Sequence, residues 1–288
     1  MKILLTILIL LSSTYALNID VSNATITNGK TTLIELNKEN NTVIDKVIAG
    51  KKTYKVYQHP LDSSKLYVLV PINYYEKPKN KKIQIVYEKS KTSKVKTLFL
   101  HIKDGKYKKE KIKVSKSKVD LNKKDKSRAS KEYSEAMKIY NTNTDINYIN
   151  SKFISPIDSK ITSSFGKARV YNGTLKGYHS GTDFRAKVGT KLIACNDGKI
   201  VLAKDRFYSG GSVIIDHGRG VYTCYYHMSK FNVKKGDIVK KHQLLGLSGD
   251  SGRVTGPHLH FSARVGGEQV DPLQLIELIN KNLLKVVQ

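Results

Sequence analysis

Apolar and polar positions alternate with a period of two along the first third of the chain. Asn18-Ile19-Asp20-Val21 sets the pattern, and Thr32-Leu33-Ile34-Glu35-Leu36 is a short apolar run of β-type composition. Lys65-Leu66-Tyr67-Val68-Leu69-Val70, Lys82-Ile83-Gln84-Ile85-Val86-Tyr87 and Thr97-Leu98-Phe99-Leu100-His101-Ile102 continue it. Successive strand residues point to opposite faces, so this period marks strands that bury one side. Asn28-Gly29 and Asp104-Gly105 punctuate the runs as turns. Several short strands at this spacing predict a small sandwich or barrel over residues 17–120. No catalytic constellation lies in it: His59 and His101 are isolated and read as structural or surface residues.

The period then changes. Lys106 to Lys126 is strongly basic and poor in large apolar residues, which suits an edge strand followed by a solvated connector. Ala129, Tyr133, Ala136, Met137 and Tyr140 recur at helical spacing and predict a short amphipathic helix over 127–140, inside a connector of residues 121–150. From about residue 151 strands resume. Lys191–Ala194 and Gly198–Ala203 read as a hairpin closed by Asn196-Asp197-Gly198. Ser212–His217 and Val221–His227 read as a second pair around Gly218-Arg219-Gly220. Residues 272–284 close the chain as an apolar helix with Leu273, Ile276, Ile279 and Leu283 on one side. The fold class is therefore mainly β: an N-terminal β unit, a short helical connector, and a C-terminal antiparallel unit over 151–288.

Composition adds three bounds. Met1-Lys2, the apolar run Ile3–Leu11 and the small residues up to Ala16 read as a secretory signal peptide over 1–16. The run is short for a membrane span. The 51 Lys+Arg against 24 Asp+Glu give a formal net charge of +27. Most of that excess is Lys and no Arg-rich helix carries it, so it reads as a surface bias and no nucleic-acid partner is expected. Carboxylate-bearing wall polymer would still be attracted by it. The two cysteines, Cys195 and Cys224, lie in strand-like text of one unit. Export permits a disulfide between them, and two buried thiols are an equal reading.

The chemistry collects in two stretches. In Gly256-Pro257-His258-Leu259-His260-Phe261, His258 and His260 stand two apart and share one face if the stretch is a strand. Tyr178-His179-Ser180-Gly181-Thr182-Asp183-Phe184 supplies another histidine and a carboxylate. Imidazole and carboxylate ligands suit zinc. Together with Phe165-Gly166, Ile215-Asp216-His217-Gly218, Tyr225-Tyr226-His227, Gly236-Asp237 and Val270-Asp271-Pro272, in this order, the text resembles the LytM/lysostaphin-type zinc metallopeptidases, the M23 family.

The resemblance implies a folded-over β-sheet with a metal groove. It implies one Zn2+ per chain held by His179, Asp183 and His260, with a position left for water. It makes His227 and His258 the catalytic pair, one as base and one as oxyanion donor, without saying which is which. Parity puts His227 on a strand face with Tyr225 and Thr223. Arg169 and Asn172 lie in a segment that approaches the groove in the family, which makes them candidate substrate contacts beside a structural-turn reading. His217 and His242 read as structural and exposed, respectively. Gly249-Asp250-Ser251-Gly252 lacks the following Lys-Ser/Thr of a phosphate loop.

The expected function is a periplasmic enzyme of a Gram-negative cell. It would cut peptidoglycan stem peptides at D-Ala to diaminopimelate cross-links or trim a terminal D-Ala, remodelling cell shape. Two other readings are a non-catalytic LytM-type regulator of an amidase and a lytic enzyme cutting Gly-rich cross-bridges. The N-terminal unit is expected to dock substrate or to cover the groove. Oligomeric state is not legible.

Overall fold

The structure, a computed structural model, describes residues 17–173 and 175–284; the signal-peptide reading lies outside them. Residues 17–103 form two sheets. One has the order Ile19–Val21, Thr31–Asn37, Lys65–Pro71, Tyr57–Gln58; the other has five strands with Lys79–Lys89 and Thr92–Lys103 as its long hairpin. Ile34, Leu36, Val68 and Val70 of the first face Val47, Ile83, Ile85, Leu100 and Ile102 of the second, and these side chains make the sandwich core.

The first sheet is apolar on both faces. Leu33, Tyr67 and Leu69, alternating with the residues just named, join the core of the C-terminal unit. That explains why Lys65–Val70 reads as a nearly continuous apolar run. Three layers thus share one middle sheet.

The C-terminal unit is built on a ten-stranded sheet. Its main path runs Ile161–Ser163, Thr182–Arg185, His258–Val265, Val221–Phe231, Gly210–Asp216, Gly198–Arg206, Ile238–Val239. The expected hairpin around Asn196-Asp197-Gly198 does not form. Lys191–Ile193 pairs with Leu244–Ser248 instead. The reason is local: neither Asp197 nor Gly198 has the positive φ that a two-residue hairpin turn needs. The Asn196 amide donates to the Ser151 carbonyl at 2.7 Å, and the Asp197 carboxylate is taken by Lys240 and Lys241 N–H. The second expected pair does form, as Gly210–Asp216 against Val221–Phe231.

The connector helix α1 (Lys123–Tyr140) starts four residues before its expected bound, because the Asn122 side chain caps it by accepting from Asp125 N–H. It buries Ala136 and Tyr140 against Leu202, Ile214, Tyr222 and Cys224. The closing helix α2 (Pro272–Asn282) is capped by Asp271 and buries Leu275, Leu278 and Ile279 rather than the full stripe expected; Leu273 and Ile276 are partly buried at its flank. Cys195 and Cys224 are both free, buried thiols.

Candidate metal centre

Strand register brings the site together. Asp183 and His260 are direct cross-strand partners, as are Arg185 and His258. His258 and His260 share the groove face, as their spacing requires. His179 lies just before the strand Thr182–Arg185. Its N–H donates to the Lys167 carbonyl and its carbonyl accepts from Gly166 N–H, each at 2.8 Å.

Three donor atoms then converge in a buried pocket. His179 Nε2 and His260 Nδ1 each stand 2.8 Å from Asp183 Oδ1, and 3.0 Å from each other. On the far side of its ring His179 Nδ1 is 2.8 Å from the Ser164 carbonyl, which can only accept. That contact holds a proton on Nδ1 and turns Nε2 toward Asp183 and His260. The Asp183 carboxyl is held well below the usual carboxylate range, since the imidazoles of His179 and His260 outweigh the opposing effect of burial. Burial pushes His260 down from 6.5 to about 4, so its ring is neutral at neutral pH. The carboxylate oxygen and the two ring nitrogens thus converge in one buried pocket. A buried carboxylate costs free energy unless a donor or cation pairs it, and the two-His, one-Asp donor set fits zinc. Among the described residues this is the one group of three such donors close enough to hold an ion.

His227 reaches the groove by a route that parity does not give. The pairing of Gly211 with Met228 and of Val213 with Tyr225 leaves two residues, Tyr226 and His227, opposite one. This is a β-bulge, and His227 adopts φ +64° there. The face shared with Tyr225 and Thr223 is therefore not the one His227 takes: Tyr225 is fully buried in the core, whereas His227 lines the groove with His258 and His260. The His227 and His258 rings lie 4.8 Å apart. Each carries its Nδ1 at 2.8 Å from a carbonyl, of Ser251 and Gly256 respectively, so each turns Nε2 to the groove. Burial, then the neighbouring His260 and His258, push His227 down to about 3.

The two arginine-segment residues part company. Arg169 lines the groove but is engaged: Nε bonds Glu110 at 3.0 Å and Nη2 reaches Asp183 Oδ2 at 3.3 Å. Asn172 does not line it. Its side chain accepts from Val114 N–H and donates to the Val114 carbonyl at 3.0 and 2.9 Å, and its φ is +48°. Asn172 therefore pins the strand Lys109–Ile112, which pairs in parallel with Ala168–Tyr171 and flanks the groove. The basic connector is thus a wall of the site. Its signal is the alternation of Glu110, Ile112 and Val114 with Lys109, Lys111 and Lys113. Tyr226, a motif residue with no role assigned from sequence, also belongs to the site: its ring stacks on His260 at 5.6 Å and its hydroxyl bonds Tyr140 of α1 at 2.9 Å. His217 is fully buried, with Nδ1 on the Asp197 carbonyl and Nε2 on Thr223. The groove has a volume of about 750 Å³.

Residues 177–272 match peptidase family M23. Over 122 residues the chain is 43% identical to the peptidoglycan DD-endopeptidase ShyA of Vibrio cholerae, covering 41% of this chain and 28% of that relative. Over 97 residues it is 39% identical to the DD-carboxypeptidase/endopeptidase Mpg of Neisseria meningitidis serogroup B, covering 34% and 22%. The chain spans less than a third of the length of either. A crystal structure of a candidate M23 peptidase from Pseudomonas aeruginosa superimposes with a TM-score of 0.68 at 25% identity, covering 88% of this chain and 95% of that one. That likeness extends through the N-terminal sheets as well as the groove. The histidine and aspartate text that drew the sequence resemblance lies inside the matched span, and the chain carries a peptidase family M23 domain.

Proposed function

We propose that this protein is an exported zinc metallopeptidase that hydrolyses peptide cross-links of peptidoglycan. The observation that carries the reading is the His179–Asp183–His260 group, three convergent donors at 2.8 to 3.0 Å in a groove that also holds two groove-facing imidazoles. Zinc bound there supplies Lewis-acid polarisation of the scissile carbonyl and acidifies water. His227 and His258 supply the proton traffic. One neutral Nε2 takes a proton from the attacking water, and the pair stabilises charge on the carbonyl oxygen and protonates the leaving amine. The C–N bond breaks, hydroxyl goes to the acyl carbon and hydrogen to nitrogen.

Relatives named as DD-endopeptidases and a DD-carboxypeptidase/endopeptidase support a D-Ala carbonyl as the acyl side. That a complete donor set is present argues against a non-catalytic regulator. The proposed substrate supports a periplasmic site of action. The test is digestion of isolated walls with products identified by mass. New D-Ala carboxyl ends and diaminopimelate amines are expected from Gram-negative walls. Cleavage confined to walls with glycine bridges, or no cleavage of either, rejects the reading.

A further inference from the structure

Of the two arginines that line the groove, only Arg169 is spent on carboxylates, those of Glu110 and Asp183. Arg253 has no carboxylate within ion-pairing distance among the described residues. Its guanidinium is clamped between the Tyr171 and Tyr208 rings, 4.3 and 4.4 Å from their centroids. Its own N–H donates to the Tyr208 carbonyl at 2.9 Å. Stacking holds the plane of an arginine and leaves its edge free, and that edge is the fork that matches a carboxylate. Lys111 stands on the flanking strand of the same groove and Lys113 just past its end, while both acidic side chains that line it, Glu110 and Asp183, are already engaged. The groove therefore presents unanswered positive charge.

The position of Arg253 says which substrate carboxylate it meets. It shares a recess with His227 and His260 and follows Ser251, whose carbonyl orients His227, by two residues. With His227 as the member of the pair that protonates the leaving amine, the half of the substrate beside it is the leaving residue. We infer that Arg253 binds the carboxylate on the carbon next to the scissile nitrogen. This makes the preferred substrates peptides whose leaving residue keeps a free α-carboxylate. A terminal D-Ala and the D-centre of a cross-linking diaminopimelate both meet that requirement. The inference rests on the function proposed above and narrows its substrate class.

The test compares two substrates on the metal-loaded full chain: a purified cross-linked muropeptide dimer, and the same dimer with the leaving residue's carboxylate converted to an amide. The wild-type protein should cut the acid about 10- to 100-fold faster in kcat/KM, the range of one charge-assisted hydrogen-bonded contact. Arg253→Gln should lose that factor on the acid, mainly through KM, and lose nothing on the amide. Arg253→Lys, which keeps charge without the fork, should fall between. Equal wild-type rates on both dimers overturn the inference without any variant, and so does an Arg253→Gln loss that is the same on both. A wild-type protein that cuts neither dimer fails at the level of the proposed function, and the inference falls with it.

Discussion

A methyl group on Gly181 would stand 2.6 Å from His260 Nε2 and closer still to the Phe261 carbonyl oxygen. The turn between His179 and Asp183 closes only because no Cβ is there. Gly181→Ala should therefore cost several kcal/mol and metal affinity together, read as a lowered denaturation midpoint and a drop in bound zinc; retention of both would show that the turn has slack. His217 sets a second residue-scale expectation. Burial pushes it from 6.5 down to about 4. Between those values the unfolded chain takes up a proton that the folded chain refuses, so stability falls as pH falls through that window. The urea midpoint should drop from pH 7 to pH 4, and His217→Gln should show a shallower drop than wild type. The convergence of His179, Asp183 and His260 was legible in sequence because each lies in a short motif of simple parity, as in His258-Leu259-His260. His227 was legible as a residue but not as a direction, since a bulge at positive φ reverses the face that alternation assigns.

At the scale of elements, the strand Lys109–Ile112 shows what composition hides. Its lysines gave it the look of a solvated connector, yet backbone pairing with Ala168–Tyr171 and the two Val114 bonds of Asn172 make it a groove wall. Pairing between residues 59 positions apart leaves no local signature beyond a weak alternation. Asn172→Ala removes both bonds at a position whose φ favours Asn or Gly. It should cost about 1 kcal/mol and raise KM, with zinc content unchanged; an unchanged KM would mean that the wall does not touch substrate. The failed hairpin at Asn196-Asp197-Gly198 teaches the same lesson in reverse. A strong local turn signal lost to tertiary hydrogen bonds with Ser151, Lys240 and Lys241.

For the whole molecule, the middle sheet ties the two halves into one apolar body. Leu33, Tyr67 and Leu69 pack in the same cluster as Leu275, Leu278 and Ile279 of α2. The Gln274 side chain bonds both backbone groups of Thr31 at 2.9 Å, and Tyr74 stacks on Tyr178, next to His179, at 3.8 Å. Two-faced burial was visible in the sequence as the unbroken run Leu66–Val70, but nothing local told which surfaces would cover it. A chain lacking residues 17–103 leaves that face of α2 in water. It should melt at lower temperature and bind a hydrophobic dye more strongly than the full chain, whereas an unchanged melting curve would mean that the halves are energetically independent.

The central claim is that His179, Asp183 and His260 hold one divalent ion. It is tested most directly by elemental analysis of the purified, folded protein beside its His260→Ala variant. The account predicts one zinc per chain in the wild type and close to none in the variant, at equal circular dichroism. Full zinc occupancy in the folded variant would contradict it.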